Sequence, residues 1–399
     1  MTMPKDSIDV TMHITLSGDV YLKSHRTQRR MIRQLVSNLE VALTRVQTGL
    51  QLKRIGSHRF ELHVPAASLA DVQKSVLGVF GISAIEIVEE LEFTTIDDLA
   101  ESVRGRVSDS VAGNTFAARV KRRGSHDWSS VDLARRIGDA LFDVSAGVDL
   151  TDPAVEVVVT VLDDRAFLVT DRQKGAGGLP LGTQGTVLCL VSGGFDSVVA
   201  AWMLMSRGCP IDFVHFSLNC AQSDHALAVA RELWGKWGHG TEPKVHLVEF
   251  QPVKDALFEH VDARMRQVAL KVMMAEAASS IASAENITAL VTGDALGQVS
   301  SQTLPHLVAV SNATSTPIFR PLLGLPKESI IDLARMVGTA ELSARAQEVC
   351  DLSAGGPVAT AASELSISNT VSRIPHHVLE DVVATRKTFD LRDWVPGQM

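Results

Sequence analysis

Six consecutive residues, Ser192-Gly193-Gly194-Phe195-Asp196-Ser197, carry the strongest chemical signal in the chain. Two adjacent glycines let the backbone turn tightly and bring its N–H groups close to a ligand. The apolar run Val187–Val191 before them reads as a buried strand, and Ser197–Ser206 after them reads as a helix. A helix start leaves N–H groups without intrahelical partners, so a strand–turn–helix of this kind is a ready anion site. Ser192 and Ser197 add hydroxyl donors. The Gly-Lys-Ser/Thr ending of a Walker loop is absent. A carboxylate cannot attract phosphate, so Asp196 is expected to hold Mg²⁺ or to position other groups.

Three further places carry candidate chemistry. The stretch Thr292-Gly293-Asp294-Ala295-Leu296-Gly297-Gln298-Val299-Ser300-Ser301-Gln302-Thr303 is rich in small residues, amides and hydroxyls, as suits a loop beside a ribose or phosphates. Lys327 stands near the start of the helix Ile330–Val337, where a cation gains nothing from the helix dipole. It is expected to face pyrophosphate or the transition state rather than solvent alone. Cys350 lies in the non-periodic stretch Gln347-Glu348-Val349-Cys350-Asp351 and is the best sulfur-handling candidate. A thiolate can carry a persulfide and deliver its outer sulfur to an electrophile. Cys189, inside an apolar strand, reads as a small buried hydrophobe, and Cys209 and Cys220 read as packing or exposed residues.

These residues need a scaffold, and the pattern beyond residue 185 supplies one. Strands Val187–Val191, Ile211–Phe216, Val245–Phe250 and Ile287–Thr292 alternate with helices Ser197–Ser206, His225–Trp237 and a long one around Val261–Ala284. Such alternation predicts a parallel, doubly wound sheet, with ligands at the carboxyl ends of its strands. The N-terminal part is different. A strand over Asp9–Leu16, a basic amphipathic helix through Met31, Leu35, Leu39 and Leu43, a strand near Arg59–Val64 and a helix from about Ser68 predict a small α+β unit. A second such unit follows, with helix Ile96–Val111, strand Thr115–Lys121, helix Val131–Phe142 and strands Val155–Leu162 and Arg165–Thr170. The glycine-rich connector Gly175–Gly182 marks the clearest boundary. The expected division is 1–66, 67–172, a linker at 173–184 and 185–399.

Composition bounds the partners. A chain of 399 residues calls for two or three domains. A net charge of −8 does not by itself favour nucleic acid. Local charge does: Lys23, Arg26, Arg29, Arg30 and Arg33 form one run without acids, and Arg119, Lys121, Arg122 and Arg123 form another. Each fits either a solvated face or phosphate contacts. No apolar stretch approaches the ~20 residues of a spanning helix, and the N-terminus lacks the apolar core of a signal peptide. Four cysteines without a Cys-x-x-Cys pair or a disulfide framework fit a reducing cytoplasm, with no membrane partner.

The hexapeptide matches the PP-loop signature Ser-Gly-Gly-x-Asp-Ser of enzymes that cleave ATP to AMP and pyrophosphate. Across nearly its whole length the chain resembles the ThiI family of tRNA 4-thiouridine synthetases. Gly18-Asp19-Val20-Tyr21-Leu22-Lys23 is similar to the opening of that family's ferredoxin-like domain, and Thr115–Arg122 resembles its THUMP strand. The connector Gly177–Thr183, Lys271-Val272-Met273-Met274, the Thr292–Thr303 loop and Glu348-Val349-Cys350 also fit. Asp294 departs from the family's Thr-Gly-Glu.

The resemblance implies a C-terminal doubly wound PP-loop ATPase domain preceded by two small α+β domains, ferredoxin-like and THUMP. It implies that a uridine O4 is adenylated by ATP with Mg²⁺, and that sulfur from a persulfide then displaces AMP. It assigns the persulfide to Cys350 and the adenylation work to Asp196 and Lys327. It places nucleotide contacts at Leu190, Val191, His215, Phe216, Lys271, Gly293 and Gln302, beside Ser192, Gly193, Gly194, Asp196 and Ser197, with no metal site made by protein side chains alone. The implied partners are tRNA and a second copy of the chain. No cysteine follows Cys350, so the expected sulfur source is a cysteine desulfurase or a separate rhodanese-like persulfide donor. Sulfur supply to the thiamine thiazole is a weaker implication. Two alternatives stay open at this point: another PP-loop tRNA-modifying enzyme, or a tRNA-binding protein with an inactive loop.

Overall fold

The structure is a computed structural model that describes residues 9–218, 220–346, 352 and 358–397. The chain divides into two compact units. The first takes in the described part of Met1–Tyr21 with Leu43–Leu77 and Ile82–Gly175; the second takes in Leu22–Ala42, Gly78–Gly81 and the described part of Ala176–Met399.

The chain enters the first unit through β1 (Asp9–Leu16) and α1 (Gly18–Tyr21), and α2 (His25–Thr44) then runs for most of its length in the second unit. Next come β2 (Lys53–Ile55), β3 (Arg59–Pro65), α3 (Leu69–Leu77), β4 (Ile82–Leu91), α4 (Ile96–Val111), β5 (Thr115–Arg123), α5 (Ser130–Leu141), β6 (Gly147–Val148), β7 (Val155–Leu162) and β8 (Arg165–Lys174). The eight strands form one sheet in the order β2-β3-β1-β4-β8-β7-β5-β6. β4 is its centre, antiparallel to β1 on one side and to β8 on the other. Its consecutive residues are buried, which explains why alternation alone does not reveal it: a strand buried on both faces loses the apolar–polar rhythm of a half-buried one. Both helices α4 and α5 start on capping boxes, Thr95 with Asp98 and Ser129 with Asp132, which satisfy two orphan donors at each helix start.

Buried charge runs across this sheet. The Glu61 side chain is fully buried, with Arg165 Nη1 at 3.0 Å and Lys53 at 3.5 Å. Arg165 turns its Nε and Nη2 to Glu90 at 2.6 and 2.7 Å. Burial is the largest influence on His13 and, with Arg59 nearby, lowers its pKa to about 4.

The second unit continues with β9 (Val187–Leu190), α6 (Phe195–Met205), β10 (Ile211–Ser217), α7 (Cys220–Trp237), β11 (Lys244–Glu249), α8 (Gln251–His260), α9 (Arg266–Ala284), β12 (Leu290–Val291), α10 (Leu304–Asn312), β13 (Ile318–Phe319), α11 (Lys327–Val337), α12 (Ala340–Ser343), α13 (Glu364–Val371), α14 (His376–Ala384) and β14 (Lys387–Asp390). The sheet order is β13-β12-β9-β10-β11-β14, parallel throughout except for β14 at the edge. One apolar layer joins α6, α7 and α11 to the sheet, and a second joins α8, α9 and α14 to its other face. This is the doubly wound arrangement expected from the alternation.

Two local expectations change. The helix expected over Val261–Ala284 begins at Arg266, and a separate helix, α8, precedes it and ends at His260: between them Val261 is extended, the Asp262 carboxylate accepts from Arg264 N, and Arg266 donates to the carbonyls of Val261 and Phe258. The strand expected over Ile287–Thr292 shrinks to Leu290–Val291, the residues that pair with Leu188 and Cys189. The connector is packed into the second unit: Leu181 is buried, and its carbonyl accepts from Asn38 Nδ2.

Candidate active site

Sheet order sets the place of the site. From β9 the chain winds through β10 to β11, then returns to lay β12 against the other side of β9. The crevice beyond the carboxyl ends of β9 and β12 is therefore a topological switch point, where open α/β sheets bind ligands.

The hexapeptide occupies that point. Gly193 has φ +82°, and a Cβ there would lie 2.8 Å from His225 and 3.2 Å from the Ala226 backbone. Only glycine meets both conditions without strain. Gly194 caps α6 in extended backbone without a side-chain hydrogen bond, so the first N–H groups of the helix stay open to an anion. Ser197 is buried, and its Oγ accepts from Ser192 N at 3.3 Å, so this hydroxyl braces the turn. Ser192 is exposed.

The loop after β12 closes the other side. A Cβ on Gly293 would lie 2.6 Å from Asp196 C and Ser197 N, so this glycine allows the loop to touch the first turn of α6. From the same loop, Gln298 Nε2 donates to Asp196 Oδ2 at 3.0 Å. Lys327, the first residue of α11, donates to both oxygens of that carboxylate at 2.7 and 3.0 Å. Its ammonium also lies 5.7 Å from the Phe195 ring centroid. The structure thus brings Asp196 and Lys327 together from positions 131 residues apart.

Behind them sits a second carboxylate. Asp294 is buried and accepts from Thr292 Oγ1 at 2.7 Å, Arg320 Nε at 3.3 Å and Gln302 Nε2 at 3.4 Å. Burial works to raise its pKa, but Lys271, Thr292 and Arg320 together outweigh it and hold the carboxyl below its ordinary range. Lys271 belongs to α9, so this charge draws a third element to the site.

The remaining expected contacts differ in what they can offer. Val191 and Phe216 turn their side chains into the two apolar layers, and Leu190 packs against the second of them. A ligand near these residues meets backbone. His215 is buried, its Nδ1 pairs with the Val191 carbonyl at 2.8 Å, and burial lowers its pKa despite that bond. Cys189 is enclosed and its thiol is pushed up to about 12 by burial, as suits packing. Cys350 lies outside the described residues.

Sequence reasoning did not assign roles to Gln298 and Arg320. Gln298 stood among the amides of its loop with nothing to mark it, and the Arg320–Asp294 pair depends on β12 and β13 lying side by side. Among the described residues, no group of three or more His, Cys, Asp or Glu could hold a metal ion, and no helix is long and apolar enough to cross a membrane.

A doubly wound parallel sheet with a glycine turn and an open helix start at its switch point defines an α/β nucleotide-binding protein of the PP-loop class. Comparison with known proteins narrows this. Residues 182–373 match the family described as thiamine biosynthesis protein (ThiI), and residues 93–171 match the THUMP domain. The chain is 36% identical over 395 residues to a tRNA sulfurtransferase of Desulfurococcus amylolyticus, covering 97% of this chain and 81% of that one. It is 37% identical over 387 residues to a tRNA sulfurtransferase of Escherichia coli O139:H28, covering 95% and 79%. The chain belongs to the ThiI family.

Solved structures agree on the fold. A crystal structure of a 4-thiouridine synthetase–RNA complex with bound ATP matches with a TM-score of 0.79 at 24% identity, over 96% of this chain and 99% of that one. A Pyrococcus horikoshii protein matches with a TM-score of 0.61 at 17% identity, over 82% and 99%.

Proposed function

We propose that the protein uses ATP to put sulfur into a tRNA uridine, giving 4-thiouridine. The observation that carries this reading is the pairing of Asp196 with Lys327 beside the open start of α6, at the switch point of the sheet. The relatives named tRNA sulfurtransferase and the THUMP match support tRNA as the substrate.

In this reading the first N–H groups of α6 receive the phosphates, with Ser192, Gly193, Gly194 and Ser197 shaping the turn. Leu190, Val191, His215, Phe216, Lys271, Gly293 and Gln302 line the nucleotide site. The uridine O4 attacks the α-phosphorus, the bond to the bridging oxygen breaks, and pyrophosphate leaves. Lys327 exchanges its contact with Asp196 for the charge that develops on the departing phosphates, in a site where such charge is expensive to leave uncompensated. Asp196 fits Mg²⁺ as a single carboxylate ligand, the pattern of an ion held chiefly by substrate phosphates and water; when bound, the ion would neutralise phosphate charge.

The adenylated uridine then carries AMP as a leaving group at C4. The outer sulfur of a persulfide on Cys350 bonds to C4 as AMP departs. A second thiol next takes the Cys350 sulfur into a disulfide and frees the thiouridine; in the alternative order that thiol attacks the Cys350 persulfide first, forming the same disulfide and releasing hydrosulfide, which then displaces AMP from C4. A cysteine desulfurase or a rhodanese-like protein supplies the persulfide. We assign residues 1–66 and 67–172 to tRNA binding and 185–399 to catalysis, in a cytoplasmic homodimer. A thiamine-related sulfur role is the weaker proposal.

The test is pyrophosphate release with ATP, Mg²⁺ and tRNA. Release should depend on tRNA and fall about 100-fold or more in Asp196→Asn and Lys327→Ala, with tRNA affinity unchanged. Undiminished release by both variants would remove these residues from the reaction.

A further inference from the structure

The fourth residue of the hexapeptide is the one to which the signature Ser-Gly-Gly-x-Asp-Ser assigns no task. In this chain it is Phe195, the first residue of α6. Its side chain is half-buried and packs against the apolar layer that also holds Ile330 and Ala334 of α11. Packing alone would be served there by another apolar side chain of similar size. An aromatic ring adds what an aliphatic group lacks, a face of negative charge density that attracts a cation. The cation is at hand, for Lys327 Nζ lies 5.7 Å from the ring centroid.

The electrostatics around Lys327 give that contact a use. Lys327 is the first residue of α11, and its ammonium lies against Asp196 in the first turn of α6, so the positive ends of two helix dipoles disfavour a cation there. Among the described residues, this ammonium meets two groups that offset the dipoles, the Asp196 carboxylate and the Phe195 ring. They are not equivalent. The carboxylate takes up N–H donors, at 2.7 and 3.0 Å, and those are the donors that phosphate oxygens need. The ring attracts the charge and leaves the donors free. The lysine side chain is 43% exposed, so without the ring its flexible stem would carry the ammonium into solvent once Asp196 lets go.

We infer that Phe195 is a positioning residue whose ring face keeps the Lys327 ammonium at the site while it exchanges Asp196 for the departing pyrophosphate. This deepens the adenylation step proposed above and rests on the role given there to Lys327. The ring makes and breaks no bond. It narrows the places that the ammonium can occupy during the exchange, so its effect falls on the rate of the step rather than on nucleotide binding.

The experiment replaces Phe195 in the full chain by mono-, di- and trifluorinated phenylalanine, which keep the shape of the ring while draining its negative face. The single-turnover rate of pyrophosphate release with ATP, Mg²⁺ and tRNA should fall stepwise along the series. At three fluorines it should be about two- to fivefold below wild type, the range of an exposed cation–π contact. KM for ATP in steady-state release should stay within about twofold. Phe195→Leu, which keeps an apolar side chain and removes the ring, should lose at least as much rate. In a Lys327→Ala background the same series should be flat, because no ammonium is left for the ring to hold. Thermal unfolding checks that the variants are folded, and the difluorinated protein carries the test if the trifluorinated one is not. A rate indifferent to fluorination would overturn the inference alone, as would an equal fall in the Lys327→Ala background. Undiminished release by Lys327→Ala itself would overturn the role of Lys327 and this inference together.

Discussion

Asp196 meets Lys327 at 2.7 Å, and Gln298 donates to its Oδ2 as well. A carboxylate beside an anion site would repel phosphate, and these two donors are what make it compatible with one. Gln298→Ala should therefore raise KM for ATP several-fold while keeping most of kcat, which steady-state pyrophosphate release would show. A kcat loss as large as that of Lys327→Ala would place Gln298 in the chemistry itself. The glycines give a sharper expectation. In Gly293→Ala the added Cβ falls 2.6 Å from backbone atoms of Asp196 and Ser197, which cannot rotate aside. That variant should lose nucleotide binding and destabilise the fold by about 1–3 kcal/mol, measurable by denaturant titration. The turn was legible in the sequence because its spacing encodes a backbone shape. The partners of Asp294 were not, since Arg320 reaches it across adjacent strands whose pairing no local pattern announces.

At the scale of elements, the sequence was clearest where one local cause sets the start of a helix or the rhythm of a strand. α4 starts where a threonine side chain and the aspartate three residues on close a capping box, which sets its first residue. Thr95→Ala should cost about 0.5–2 kcal/mol by the same denaturant titration. Legibility failed where tertiary contacts decide. The interruption between α8 and α9 depends on Arg266 folding back onto the Val261 and Phe258 carbonyls, which competes with continuing the helix. β4 has consecutive buried residues, so both its faces are covered and its mixed apolar and acidic run shows neither helical nor strand periodicity clearly. β12 is short because pairing with β9 extends over two residues, beyond which the chain turns into the loop that carries Gly293.

At the scale of the molecule, charge and burial make two expectations. The chain is acidic overall, at −8, yet Lys23, Arg26, Arg29, Arg30 and Arg33 are all exposed on or beside α2 and pair with no carboxylate among the described residues. If they contact phosphates, Arg29→Glu with Arg30→Glu should weaken tRNA binding about tenfold or more and flatten its salt dependence. The second expectation concerns pH. His13 in the first unit and His246 in the second are each lowered from 6.5 to about 4, chiefly by burial. Between those values the unfolded chain binds protons that the folded chain excludes, so stability falls as pH drops through this window and recovers above it. Melting temperature measured from pH 7 to 4 should follow that direction, and His246→Gln should reduce the slope.

The central claim is best tested by the modified nucleoside itself. Purified protein with ATP, Mg²⁺, unmodified tRNA and a persulfide donor should yield 4-thiouridine in the digested tRNA by mass spectrometry, and omission of ATP or substitution of Cys350→Ala should abolish it. Release of pyrophosphate without any thiolated uridine under these conditions would contradict the account, because the loop would then activate something other than a uridine awaiting sulfur.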